Sequence, residues 1–164
     1  MDGAAGVIAL RPETPADEAF LFEVYASTRR EELEALAWGQ ASRQAFLAQQ
    51  FLARQQGYHQ SFPAAAFSIV LADGKPVGRL VVDRRDEEIR IVDAALLPEQ
   101  RSRGVGTALL QAVLEEAART NKPVRLRVLQ GGRSAHLCAR LGFRKIDSDG
   151  GHDHWEWHRA NGGD

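Results

Sequence analysis

Apolar positions recur along this chain at two different periods. Val7–Leu10 is a short apolar run stopped by Arg11-Pro12, and it predicts a first strand. Thr14-Pro15, with Asp17 and Glu18 in the turn that follows, predicts a helix start. Phe20, Val24, Leu33 and Leu36 carry a stripe along 16–37, with a break expected near Ser27-Thr28. Trp38-Gly39 ends that helix. Ala41-Ser42 opens another, on which Phe46, Leu47, Phe51 and Leu52 recur until Gly57.

From Phe67 the period shortens. Phe67–Leu71 predicts a strand, Asp73-Gly74-Lys75-Pro76 a turn, and Val77–Asp83 the returning strand. Arg84–Glu87 predicts a second turn and Ile89–Leu97 a third strand, closed by Pro98. Connections this short demand antiparallel pairing. Leu109, Val113 and Ala117 then share one face of a helix over 107–120, stopped by Asn121-Lys122-Pro123. The strand predicted at Val124–Leu129 follows a helical crossover and should pair in parallel. A short helix at Arg133–Leu141, a stop at Gly142 and a hairpin from Phe143 to His158 complete the chain. Residues 160–164 read as frayed. The order predicts an α+β fold: one domain over 1–164, a mixed, mostly antiparallel sheet of about seven strands, and helices on both faces.

Composition narrows the class. The chain has 164 residues, 21 Lys+Arg against 22 Asp+Glu, and a net charge of -1, which gives no general pull toward nucleic acid or anionic lipid. Its single cysteine excludes an internal disulfide and any cysteine-rich zinc module. No apolar run approaches membrane-spanning length, and the first residues lack the pattern of a secretory signal, so a cytoplasmic location is expected. No metal is expected. His152 and His154 share a strand face but lack a third ligand in view.

One segment carries chemistry. Arg101-Ser102-Arg103-Gly104-Val105-Gly106-Thr107 leaves a strand, turns on two glycines and enters a helix. Amides at a helix N-terminus have no intrahelical partner, and the helix dipole favours an anion there. Glycine lets a ligand approach the backbone, and the arginines add positive charge. The same glycines would also permit nothing more than a tight turn and close helix packing. A P-loop is excluded, because Thr107-Ala108 stands where Lys-Ser/Thr is needed. A dinucleotide fingerprint is excluded by Leu109 at its third small position.

With these residues in view, Ile91–Leu110 resembles the core of the GCN5-related N-acetyltransferase (GNAT) family. Arg101, Gly104 and Gly106 match its Arg/Gln-x-x-Gly-x-Gly/Ala pattern, and Leu137 with Leu141-Gly142-Phe143 matches its second signature. The core of the resemblance spans 89–143. It implies a sheet splayed at a V-shaped cleft and acetyl-CoA as co-substrate. It places the pyrophosphate on Arg101, Ser102, Arg103, Gly104, Val105, Gly106 and Thr107, and the pantetheine arm along Ala95, Leu96 and Leu97. Gly132 and Ser134 would lie beside the cofactor. A bulge is expected at 94–96. The helices over about 14–57 would shape the acceptor site, and the hairpin over 143–158 is a possible dimer element.

The catalytic positions depart from the family pattern. Cys138 stands where a tyrosine proton donor is common; it reads first as a small buried hydrophobe, and after that as a proton donor or a reactive thiol. Gly132 replaces a common asparagine. Arg90 falls at the usual position of the base, leaving Glu88 and Asp93 as nearby carboxylates that act directly or through water, or merely fix the strand edge. Trp155 and Trp157 share the face opposite His152 and His154 and are expected to pack on the core, with Trp155 a candidate for the cleft mouth. Glu31, Glu32 and Glu34, with Trp38 just after them, suggest a pocket for a cationic amine or a solvated helix face. The expected activity is acetyl transfer to a primary amine by direct attack on the thioester, with a small amine or a peptide as acceptor. The alternatives are an acyl-CoA-binding sensor or interaction module with little turnover, and a nucleotide-binding domain.

Overall fold

The computed structural model describes residues 6–34 and 38–159, and of 31–34 it describes the backbone alone. Seven strands form one sheet in the order β1-β2-β3-β4-β5-β7-β6. They are β1 (Ile8–Pro12), β2 (Ala66–Ala72), β3 (Lys75–Arg84), β4 (Ile89–Leu96), β5 (Val124–Leu129), β6 (Arg144–Asp149) and β7 (His152–Trp157). Helices α1 (Glu18–Glu34) and α2 (Gln40–Ser61) precede β2; α3 (Val105–Thr120) joins β4 to β5, and α4 (Arg133–Arg140) joins β5 to β6. All neighbouring strands are antiparallel except β4 and β5.

The two faces carry two cores. On one, Val70, Leu80, Val82, Ile89, Ile91, Val124 and Leu126 pack against α3 and against Cys138 of α4. On the other, Leu21 and Tyr25 of α1 and Leu47 and Phe51 of α2 cover Ile69 of β2. Among the described residues no helix is long and apolar enough to cross a membrane.

Three local expectations change. The helix continues through Ser27-Thr28, because the Ser27 hydroxyl donates to Val24 O and that of Thr28 to Tyr25 O, both at 2.7 Å. These hydroxyls fold back onto the helix instead of breaking it. The second helix passes Gly57 and runs to Ser61, where Phe62 N closes it on Tyr58 O at 2.8 Å. The bulge lies at Val92 and not at 94–96: Val82 pairs with Ile91 and Val81 with Asp93, which leaves Val92 as the extra residue.

That bulge has a chemical consequence. Side chains alternate along a strand, so without it Ile89, Ile91 and Asp93 would all enter the α3 core. The extra residue turns Asp93 and Ala95 to the α1/α2 face and returns Leu96 to the apolar side.

Candidate active site

β4 and β5 are hydrogen-bonded only over Ile89↔Val124, Arg90↔Arg125 and Ile91↔Leu126. Beyond that point β4 continues to Leu96 and β5 to Leu129, and the two part to form a V-shaped cleft. The open edge of β4 carries free backbone groups. Leu97 N donates to Val77 O at 2.9 Å, toward β3. Backbone direction alternates in an antiparallel pair, so Leu96 and, two residues back, Ala94 turn their N–H and C=O to the cleft.

At the mouth of this cleft stands the N-terminus of α3. Gly104 is its N-cap residue with φ 83°, a left-handed conformation suited to glycine, and no side chain caps the helix. Ser102 shares the left-handed region at φ 63°. The first-turn amides of Val105, Gly106 and Thr107 thus begin a helix that has nothing to cap it. Space above Gly104 is open, whereas a Cβ on Gly106 would meet Leu137 at 3.6 Å and Leu96 at 3.9 Å. Gly104 therefore serves the turn and leaves the space above it open, and Gly106 serves the close packing of α3 on α4 and β4. Ser102 and Arg103 are exposed, and Arg101 is partly so. Arg140 of α4, which the sequence reading missed, reaches Thr107 Oγ1 at 3.4 Å and brings another cation to the cradle. Gly132 is the N-cap of α4, and Ser134 lies exposed in its first turn.

These residues fit a CoA-type ligand: an uncapped helix N-terminus among arginines for the pyrophosphate, and an open strand edge for the amides of the arm. A further feature agrees. Trp155 stands opposite Leu126, where the strands part, and its buried indole N–H has no partner among the described residues. An unmet buried donor costs about 1–3 kcal/mol unless a ligand accepts from it.

The three candidate catalytic groups occupy different surroundings. Cys138 is 1% exposed and lies in the α3/α4 core. Burial pushes its thiol up to about 11. Glu88 is buried at the end of the β3–β4 turn, just before the zipped part of β4, taking hydrogen bonds from Arg90 Nε at 2.9 Å and Arg125 Nη1 at 2.6 Å. Arg125 also donates to Glu156 at 2.5 Å, and Glu156 meets His158 at 2.6 Å. Burial acts to raise the Glu88 carboxyl, but the arginines overcome it and hold it below the ordinary carboxylate range.

Asp93 differs from both. It is the first residue beyond the Val92 bulge, at the vertex of the cleft on the α1/α2 face. Its side chain is 16% exposed and faces Arg54 Nη2 at 3.6 Å and Arg79 Nη1 at 3.9 Å. Both are ion pairs longer than a hydrogen bond, so its lone pairs remain available. Arg79 is committed elsewhere, to Glu13 at 2.8 Å and Gln55 at 2.5 Å. The Tyr58 phenol is pushed up to about 12, by burial first and then by the Asp93 charge. Arg54, Gln55, Tyr58 and Arg79 carried no readable motif; only the fold brings them to Asp93.

The other expectations resolve as follows. Trp155 and Trp157 pack against the α3/α4 core. His154 pairs with Asp149, while His152 buries Nδ1 without a partner among the described residues. The side chains of Glu31, Glu32 and Glu34 lie outside the described residues. Trp38 is exposed and meets Phe46 edge-on at 5.3 Å.

A splayed sheet with a glycine-led helix N-terminus at its cleft mouth has the architecture of the acyl-CoA-dependent N-acyltransferase fold. The chain belongs to the acetyltransferase (GNAT) family, whose profile matches residues 21–143. No curated protein matches the sequence. Among solved structures, PaiA N-acetyltransferase from Thermoplasma acidophilum in complex with coenzyme A is similar at TM-score 0.68 and 18% identity, covering 93% of this chain and 99% of that one. An acetyltransferase from Thermus thermophilus has TM-score 0.68 at 17% identity, over 94% of this chain and 99% of that one. Ard1 from Thermoplasma volcanium has TM-score 0.59 at 22% identity, over 92% and 96%. Likeness at these identities is likeness of fold.

Proposed function

We propose that this chain moves the acetyl group of acetyl-CoA directly to a primary amine, with Asp93 taking the proton of the attacking amine. The carrying observation is the position of Asp93: a carboxylate free of hydrogen bonds, at the vertex where β4 and β5 separate.

The cofactor supplies a thioester. The Arg101–Thr107 cradle holds its pyrophosphate by helix amides and cations. The outward amides of Ala94 and Leu96 pair with the arm and stabilise the oxyanion that develops on the carbonyl. The acceptor enters from the α1/α2 face. Its nitrogen lone pair bonds to the carbonyl carbon while Asp93, directly or through one water, accepts the departing N–H proton. The C–S bond then breaks, its electron pair stays on sulfur, and solvent protonates the thiolate. Cys138 takes no part in this proposal, because a thiol raised to about 11 holds its proton more tightly than the thiolate would. Glu88 is a structural carboxylate here, saturated by two arginines.

The test is calorimetric titration with acetyl-CoA, CoA and ADP, paired with thiol release over a panel of amines. Binding of both CoA species with amine-dependent thiol release supports the reading. Binding without release for any amine favours the sensor, and ADP binding as tight as CoA favours a nucleotide site.

A further inference from the structure

Asp93 has a second, more exposed charge beside it. Arg54 projects from α2, and its guanidinium lies 5.7 Å from the ring centre of Tyr25 and 5.1 Å from that of Tyr58. Two aromatic rings hold the guanidinium by cation–π attraction, and one of its N–H groups also bonds to the Tyr58 phenol, which leaves its other N–H groups to face Asp93 and solvent. The contact of Arg54 with Asp93 is longer than a hydrogen bond, and its side chain is 46% exposed. Arg79, beside it, is 5% exposed and bound through Nε to Glu13. The cluster thus holds two cations and two anions, of which Arg79 and Glu13 satisfy each other. Arg54 and Asp93 remain as an adjacent ion pair; among the described residues neither has a hydrogen bond to a group of opposite charge.

The charges facing this corner from the neighbouring strands are already paired. Arg90 and Arg125 are held by Glu88, and Arg127 and His154 by Asp149. None of them supplies what Arg54 and Asp93 lack.

We infer that Arg54 seats a carboxylate of the acceptor beside its amine, so that the substrate class is the α-amino acids. This rests on the proposed role of Asp93. An α-amino acid arrives with an ammonium and a carboxylate on the same carbon; the ammonium loses one proton to solvent before attack, and Asp93 takes the second as the C–N bond forms. Set against Asp93 and Arg54, the arriving amino acid closes a ring of alternating charges and leaves no net charge in the cleft. A polyamine would bring several cations to one free carboxylate. A phosphate dianion would meet one free guanidinium. A planar, stacked guanidinium also matches the two-oxygen geometry of a carboxylate.

The experiment compares each α-amino acid with its own amide and its decarboxylated amine, by thiol release from acetyl-CoA. The wild-type protein should prefer the free acid by about tenfold to a hundredfold in kcat/KM, the range for a hydrogen bond to a charged group. Arg54→Met keeps an unbranched stem between the tyrosines. It should raise KM for the acid well beyond any change for the amide, which shares the effect on Asp93, and so abolish the preference; Arg54→Lys should restore part of it. Equal use of acid and amide, best activity with a polyamine, or equal loss for acid and amide in Arg54→Met overturns the inference and leaves the transferase reading standing. Absence of thiol release with every amine removes the transferase reading instead. Calorimetric titration of the amino acids into the CoA-bound protein then decides the inference alone. Binding that is lost in Arg54→Met supports it; no binding, or binding unchanged in the variant, overturns it.

Discussion

A Cβ placed on Gly78 would overlap the carbonyl oxygen of Ala95 and come within 2.7 Å of the Leu96 side chain. Gly78 and Leu96 face each other across β3 and β4 in the stretch where β4 is free of β5. The edge proposed to carry the cofactor arm thus has its position set from behind by a missing side chain. Gly78→Ala should cost about 1–3 kcal/mol by forced overpacking. It should also weaken CoA binding, because the displaced segment is the one proposed to pair with the arm. Urea unfolding and calorimetry on one variant check both. Lost stability with unchanged CoA affinity would place the arm elsewhere.

Gly104→Ala tests the cradle. At φ 83° a Cβ is strained whatever the space above it, at a cost of about 1–2 kcal/mol. If ligand binding needs that turn as built, the CoA dissociation constant should rise by about tenfold, the equivalent of 1.4 kcal/mol. Direct titration measures it, and an unchanged affinity would make Gly104 a structural turn alone.

Cys138→Ala should separate packing from catalysis. The thiol is buried in the α3/α4 core and raised to about 11. Proton transfer from it to a leaving thiolate of ordinary acidity would run uphill by about 3 kcal/mol. The variant should keep kcat within about threefold and lose about 1–2 kcal/mol of stability from the cavity. A fall of a hundredfold in kcat at full CoA affinity would make Cys138 the proton donor.

Glu88 predicts a pH dependence of stability. Its folded carboxyl lies below the ordinary range, since the Arg125 and Arg90 contacts outweigh the opposing effect of burial. Its contribution is complete above the unfolded value of about 4.3 and fades as pH falls through the lower folded value. Glu88→Gln should therefore destabilise the protein most near neutrality, with the gap to wild type narrowing in acid. Urea midpoints at several pH values give the answer; a gap independent of pH would rule out the carboxylate charge as its source.

How far the sequence revealed this site depends on the range of the signal. The strands, the α3 cradle and the parallel β4–β5 step were legible because each has a local cause: alternation, paired glycines, or a connection long enough for a crossover. The bulge was misplaced by two residues or more, because nothing local distinguishes Val92 from Ala94. What selects it is tertiary, namely keeping Asp93 out of an apolar core. Ser27-Thr28 read as a break because propensity does not reveal hydroxyls that bond back to their own helix. Glu88 and Asp93 were equal candidates in sequence. Only the fold shows Glu88 spent on two arginines and Asp93 open at the vertex. Arg54 and Tyr58 gave no signal at all, since their meaning lies in where α2 crosses β4.

The most direct measurement is kcat/KM for Asp93→Asn beside the affinity of the same variant for CoA. The account predicts a fall of about 10²–10⁴-fold in kcat/KM, the usual loss with a general base, and a CoA dissociation constant within about twofold of wild type, because the cradle and the arm-binding edge are untouched. Wild-type turnover in Asp93→Asn would contradict it, and the amine proton would then leave by a route that does not involve this carboxylate.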